Sequence, residues 1–237
     1  MLLFKILRAV LRFVAFLVAR VEIRGLENVP PQGPYLIVTN HMSKADPPLL
    51  YVVFPPMRLR FFAGEKWEGH FLFGPIMRWV GAIYINRGEV DRRALREAID
   101  ALNNGSIFGL APEGTRSRIG KLIPGKDGAA YLASRVDVPI IPVGLTNTDI
   151  LGENMKRLRR TPLEATIGRP FRLPLNGRRV RSGELSAMTH LIMVQIAALL
   201  PERYHGHYQD SPALAALLAG EDPWPHCLAA EVRREPE

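Results

Sequence analysis

The sequence holds a single cysteine, Cys227, in 237 residues. One thiol excludes a disulfide scaffold and a cysteine-based zinc centre, and gives no sign of an oxidising compartment. Aromatic residues are sparse, at 8%. Acidic residues are outnumbered, 23 against 31 Lys and Arg, which leaves a formal charge of +8 and a pI near 10.0. No internal repeat or low-complexity block is present. A long charge-free apolar run is missing too: Lys5, Arg8 and Arg12 interrupt the N-terminal stretch, and its longest unbroken piece is residues 13–19. A spanning helix wants about 20 apolar residues, and a signal peptide carries its charges ahead of the apolar run. What remains is 47% hydrophobic and 23% charged, the balance of a chain that buries a core. The length suits one domain with extensions better than two.

The excess positive charge calls for an anionic partner: nucleic acid, anionic lipid or a phosphorylated small molecule. In residues 1–20 the three cations fall at i, i+3 and i+7, hence on one face of a helix. The spacing predicts an in-plane amphipathic helix, apolar face in the acyl boundary and cations toward lipid phosphates. The competing reading is a helix packed on the protein's own core. Basic clusters at Lys156-Arg157, Arg159-Arg160, Arg178-Arg179 and Arg181 lack the interleaved aromatics of a nucleic-acid surface. A surface that meets an anionic bilayer or the phosphates of a small-molecule substrate is expected, and no nucleic acid.

Along the chain, β-prone segments alternate with helical ones. Strands are expected at residues 21–24, 35–39, 58–63, 81–85, 107–110 and 139–145, with one or two more within 162–174. Helices are expected from Asp46-Pro47-Pro48 onward, through Val90, Leu95, Ala98, Ile99 and Leu102, over 129–136, and over 185–200. This alternation predicts a single α/β domain over 21–209 with a mixed, largely parallel sheet flanked by helices. The N-terminal helix over 1–20 precedes it, and a loosely packed tail over 210–237 follows. Ligands of such sheets gather at loops leaving the carboxyl ends of strands.

Two polar clusters fall at such loops. Asn40, His41, Ser43 and Asp46 follow the 35–39 strand. On a helix, His41 and Asp46 would point about 140° apart. They converge only if part of the segment is a turn, which Pro47 favours by restricting the residue before it. A His–Asp pair deprotonates a hydroxyl: imidazole takes the proton, and carboxylate fixes the tautomer. The plainer alternative makes Asp46 a helix cap and His41 a loop residue. The second cluster, residues 112–118, reads Pro-Glu-Gly-Thr-Arg-Ser-Arg. Gly114 lets backbone N–H groups approach an anion. Thr115 and Ser117 offer hydroxyls, and Arg116 a fork suited to phosphate. A Walker loop is absent. Two weaker segments are the strand ending at Arg87 and the double-proline strand 138–144, which reads as an edge or bulged strand near a binding wall.

These segments, in this order, resemble the glycerolipid acyltransferases of the 1-acylglycerol-3-phosphate acyltransferase type. The first block, N-H-x-S-x-x-D, is matched by Asn40, His41, Ser43 and Asp46. The second is similar to Lys66-Trp67-Glu68 with Pro75, Gly81 and Arg87. The third, P-E-G-T-R-S, is matched without a gap by residues 112–117, and the fourth, V-P-I-x-P-V, by residues 138–143. Asn86 and Ala111 depart from the usual pattern without removing a catalytic group. The resemblance implies acyl transfer from acyl-CoA or acyl-carrier protein to the hydroxyl of 1-acylglycerol-3-phosphate, giving phosphatidic acid. It implies His41 as general base, Asp46 as its orienter, and Lys66, Arg87, Gly114, Thr115 and Arg116 around the acceptor phosphate. Glu113 would hold the loop or the acceptor, while Asn40 and Ser43 support. No cofactor and no metal are expected. His205 and His207 read as exposed polar residues. The expected location is peripheral or monotopic, on the cytoplasmic face of a membrane. The same chemistry on another acceptor, such as another lysophospholipid, dihydroxyacetone phosphate or an acyl sugar, and a non-catalytic lipid-binding protein are the alternatives.

Overall fold

The computed structural model describes residues 2–54, 59–71, 73–85, 91–175, 180 and 182–232. Seven strands form one sheet: β1 (Ala19–Arg24), β2 (Tyr35–Thr39), β3 (Leu59–Gly64), β4 (Ile83–Ile85), β5 (Ile107–Leu110), β6 (Ile140–Thr146) and β7 (Thr161–Ile167). Their order is β1-β7-β6-β2-β5-β3-β4. Every pairing is parallel except β6 with β7. The fold is therefore a mixed, largely parallel α/β sheet.

β2 lies in the middle, and its composition explains why. Tyr35, Leu36, Ile37 and Val38 are all fully buried. Alternate side chains go to opposite faces of a strand. Leu36 and Val38 join a core under α4 (Arg92–Asn103), α5 (Gly128–Val136) and α7 (Ser182–Ala197), while Tyr35 and Ile37 join one under α2 (Asp46–Val53). A strand apolar on both faces is the mark of a sheet covered on both sides. In α7 the buried side chains include Met188, Leu191, Ile192, Met193, Val194 and Ile196. It is a core helix, and only its first turn, at Leu185, reaches the cleft described below.

Three expectations are corrected. Of the expected loose tail over 210–237, the described residues 210–232 are packed: α8 (Pro212–Leu218) and α9 (Trp224–Val232) lie against α7, with Ala213, Leu214 and Cys227 buried, and 233–237 fall outside the described residues. Small alanines let these helices approach closely, and Ser211 caps α8 by accepting from the Leu214 N–H. Burial pushes the Cys227 thiol up to about 12, so it is an inert core thiol. The double-proline strand is no edge either, since β6 pairs with β2 and with β7. Pro142 accepts from the Gly168 N–H, at 2.9 Å, where the β6–β7 ladder ends. Its missing N–H therefore forfeits a single terminal bond. Over 162–174 one strand forms, and Phe171 adds only a bridge to Ile140.

The third correction concerns α1 (Leu2–Val18). Leu11, Ala15 and Val18 pack against the α2 side of the core. Arg8 lies on this inner face, and its guanidinium donates to the Val52 carbonyl at 3.4 Å. Lys5 and Arg12 stay exposed. The outer face is apolar: Val10, Val14 and Leu17 are about half exposed, Phe13 and Phe16 62% and 63%. The competing reading, a helix on the protein's own core, thus holds for one face, and the other is an uncovered apolar stripe. Among the described residues no helix is long and apolar enough to cross a membrane. Nothing in the 176–179 segment or at Arg181 falls within the described residues.

Candidate active site

The turn after β2 brings His41 and Asp46 together. Residues 41–45 are non-helical, and α2 begins at Asp46, with Ala45 rather than Asp46 at the cap position. The Asp46 side chain is thereby free to fold back. Its Oδ2 accepts from the Met42 N–H and the Ser43 N–H, each at 2.8 Å, and stands 2.7 Å from His41 Nδ1. Three contacts on one buried oxygen fix the carboxylate and, through it, the imidazole ring. The Ser43 hydroxyl accepts from the Ala45 N–H at 3.2 Å, which tightens the turn. Asn40 is buried and points away from the cleft. Its amide makes two 2.8 Å bonds to the backbone of Leu145, strapping the end of β2 to β6.

The loop after β5 grips the same histidine from the other side. Glu113, 1% exposed, accepts from the His41 N–H at 2.7 Å and the Ile123 N–H at 3.2 Å. The Ser117 N–H donates to the His41 carbonyl at 2.8 Å. Both backbone groups of His41 are thus tied to residues 113–117. Burial pushes the Glu113 carboxyl up to about 7; the His41 and Ile123 N–H groups oppose that rise and the Asp46 charge adds to it. Of the two roles that the resemblance offers Glu113, the geometry gives the loop-holding one. Ser117 is buried too, so its part here is a backbone donor and not a hydroxyl in the cleft.

His41 and Asp46 border a cleft of about 1190 Å³ over the carboxyl ends of β2 and β5 and the first half of β3. Ligand pockets commonly span about 300–1,000 Å³, so this one has room for a large ligand. Its walls include Leu50, Tyr51, Phe61, Phe62, Leu95 and Ile99 on the apolar side. Gly114 and Thr115 line it, as do Lys126 and the first turn of α5. Arg116 is half-buried and does not line it. Gly114 has φ +67°, in the left-handed region that favours glycine. The Arg87 position lies outside the described residues, and so does the Lys66 side chain, although the 66 backbone forms part of a 3-10 turn, Glu65–Trp67. His205 is buried, its Nε2 2.9 Å from the Leu200 carbonyl, which corrects its reading as exposed. No three His, Cys, Asp or Glu side chains among the described residues are grouped to hold a metal ion.

The family model described as Acyltransferase matches residues 20–146, more than half of the chain. The chain belongs to the acyltransferase family. It is 31% identical over 153 residues to 1-acyl-sn-glycerol-3-phosphate acyltransferase alpha of Homo sapiens, covering 60% of this chain and 52% of the relative. It is 29% identical over 180 residues to the probable 1-acyl-sn-glycerol-3-phosphate acyltransferase of Mycoplasma pneumoniae, covering 73% and 66%. The crystal structure of the 1-acyl-sn-glycerophosphate (LPA) acyltransferase PlsC from Thermotoga maritima superposes with a TM-score of 0.66 at 26% identity, covering 83% of this chain and 79% of that one. The chain spans about half the length of the first of these curated relatives.

Sequence reasoning missed five residues that line this cleft. Lys126 stands alone in the sequence, with no motif to mark it. Phe61 and Phe62 read as an ordinary strand, and Leu95 and Ile99 as the core stripe of an amphipathic helix. The physical link between the first and third blocks was also invisible, since it runs through backbone N–H and C=O groups.

Proposed function

We propose that this chain transfers a fatty acyl group from a thioester donor, acyl-CoA or acyl-carrier protein, to the free hydroxyl of 1-acylglycerol-3-phosphate. The product is phosphatidic acid. The observation that carries this reading is the His41–Asp46 pair, held at 2.7 Å on the rim of a large, apolar-walled cleft. The relatives named above, all 1-acylglycerol-3-phosphate acyltransferases by description, support it.

The chemistry follows from which nitrogen is occupied. Nδ1 faces Asp46, so it carries the proton and Nε2 accepts one. Nε2 takes the proton of the acceptor hydroxyl as its oxygen attacks the thioester carbonyl. The tetrahedral intermediate collapses, the carbon–sulfur bond breaks, and the imidazolium returns the proton to the leaving thiolate. Atoms and charge balance without a covalent acyl-enzyme or a cofactor. Asp46 orients the ring and stabilises the imidazolium. The apolar walls at Leu50, Phe61 and Ile99 suit an acyl chain, and Gly114 with Thr115 suits the acceptor's phosphate. Lys66, Arg87 and Arg116 remain proposed as further cations near that phosphate.

The outer face of α1 supports a bilayer partner. Exposed Val10, Phe13, Val14, Phe16 and Leu17 form an apolar stripe, with Lys5 and Arg12 exposed beside it on the same helix. Contiguous apolar surface of this kind marks an interaction site, and an in-plane helix that buries it in the headgroup boundary satisfies it. Attraction of the cations to anionic lipid adds to the binding. The reading is therefore a peripheral or monotopic enzyme on the cytoplasmic face of a membrane.

The test is acyl transfer by the purified chain on anionic vesicles, with labelled palmitoyl-CoA and lysophosphatidic acid. Wild type yields phosphatidic acid, and His41→Ala loses roughly 10²–10⁴-fold in turnover, the usual worth of general base catalysis. Equal product from both sinks the role of His41. No product from either, with this donor and with acyl-carrier protein, sinks the acceptor.

A further inference from the structure

The cleft needs a cation for its anionic ligand, and the one that the sequence points to, Arg116, does not line it. Among the described residues three cations do: Arg92 and Arg96 on α4, and Lys126, which lies against Gly114 beside Thr115. The Lys126 backbone is not free to wander: its N–H donates to the Pro112 carbonyl at 2.8 Å. Pro112 precedes Glu113, and Glu113 holds the His41 N–H. Three short links therefore connect Lys126 to the His41 backbone. The side chain runs alongside Gly114, where a Cβ would sit 2.9 Å from Lys126 Cδ and 3.6 Å from Nζ. The ammonium thus lies over the glycine whose missing side chain opens the loop.

Its neighbours leave that charge uncommitted. Lys126 is exposed and makes no ion pair of 4.0 Å or less among the described residues. The adjacent Asp127 carboxylate is engaged elsewhere, accepting from the Thr189 hydroxyl at 2.6 Å. An ammonium beside an open glycine and a threonine hydroxyl suits a tetrahedral oxyanion with several acceptor oxygens.

We propose that Lys126 binds the phosphate of the acceptor and so fixes the distance between that phosphate and His41. This inference rests on the reaction proposed above. The shared chemistry, a phosphate group, also occurs in the thioester donor, so the experiment separates the two sources. Steady-state kinetics on vesicles would compare wild type, Lys126→Ala and Lys126→Arg, varying lysophosphatidic acid and palmitoyl-CoA in turn. Independently of turnover, ³¹P line broadening of sn-glycerol 3-phosphate would report binding to the full chain. Lys126→Ala is expected to raise the acceptor KM about 10- to 100-fold, leave the donor KM within about two-fold, and abolish the broadening. Lys126→Arg keeps the charge and is expected to recover most of the affinity. A rise in donor KM alone overturns the assignment in favour of the donor's phosphate. Unchanged constants and unchanged broadening overturn it outright. If wild type transfers no acyl group yet broadens sn-glycerol 3-phosphate only when Lys126 is present, the reaction reading fails and the phosphate site stands. Because Lys126 is exposed, an unchanged melting temperature is the expected folding control.

Discussion

Replacing Glu113 by glutamine isolates the energetics of the clamp on His41. Burial pushes the Glu113 carboxyl from its ordinary 4.5 up to about 7. A displacement of that size corresponds to about 3 kcal/mol between the two protonation states. The sign is set by which state holds the proton. Between about pH 4.5 and pH 7 the folded protein keeps a proton that the unfolded chain has released. Stability contributed at this site therefore falls as pH rises through that window. Below it both states are protonated and the penalty vanishes; above it both are ionised and the penalty is complete. Glutamine does not titrate. Its carbonyl replaces one acceptor oxygen, but its amide nitrogen faces either the His41 N–H or the Ile123 N–H, at a cost of about 1–3 kcal/mol.

The two stability curves should therefore converge or cross. Near pH 4 wild type is expected to be the more stable by about 1–3 kcal/mol, the whole cost of the lost acceptor. Near pH 8 the variant recovers about 3 kcal/mol by removing a buried charge, and equals or exceeds wild type. Urea denaturation across this range, with a constant m-value, measures the difference. Turnover at pH 8 should nonetheless fall at least about ten-fold, because the N–H of the proposed base loses part of its anchor and small misplacements are costly. Parallel stability curves would refute the burial argument. Full activity in Glu113→Gln would refute the claim that this contact positions His41.

Three further outcomes test other parts of the structure. Asn40→Ala strips the buried Leu145 N–H and C=O of their partners and should cost about 2–6 kcal/mol by denaturant titration, at about 1–3 kcal/mol per unpaired group. Truncation after Gln209 removes α8 and α9 from α7 and uncovers apolar core, so the shortened chain should aggregate or lose its cooperative melting transition. Phe13→Glu with Leu17→Glu places charges on the exposed stripe of α1 and should abolish co-sedimentation with anionic vesicles, without lowering the melting temperature by more than a few degrees; undiminished sedimentation would remove α1 as the bilayer contact.

How far the sequence reached depended on where each signal resides. β2 was legible because a short run of β-prone residues between turns is nearly diagnostic of a covered strand, and the structure buries it on both faces. The turn that joins His41 to Asp46 was legible because no helix could join them at that spacing. Other features were not. A helical wheel puts Lys5, Arg8 and Arg12 on one face but does not say which face the protein takes, and here Arg8 faces inward to Val52. A proline count marks β6 as an edge or bulged strand, yet the cost of Pro142 depends on which rung of the β6–β7 ladder loses its donor, and here it is the rung beyond Val143–Ile167, where that ladder ends. Alanine-rich residues after 209 looked uncommitted because small side chains carry little periodic signal, although they are what allows close helix packing.

The deepest gap lies at the site itself. The first and third blocks are 72 residues apart between His41 and Glu113, and side-chain chemistry alone suggests two independent devices, a base pair and an anion cradle. Backbone hydrogen bonds make them one. Glu113 holds the His41 N–H, Ser117 holds the His41 carbonyl, and Pro112 holds Lys126. A loop that shifted to grip an anion would drag the proposed base with it. If Lys126 holds the acceptor's phosphate as proposed, its tether to the His41 backbone sets the distance between base and phosphate, and that distance selects the hydroxyl that is acylated.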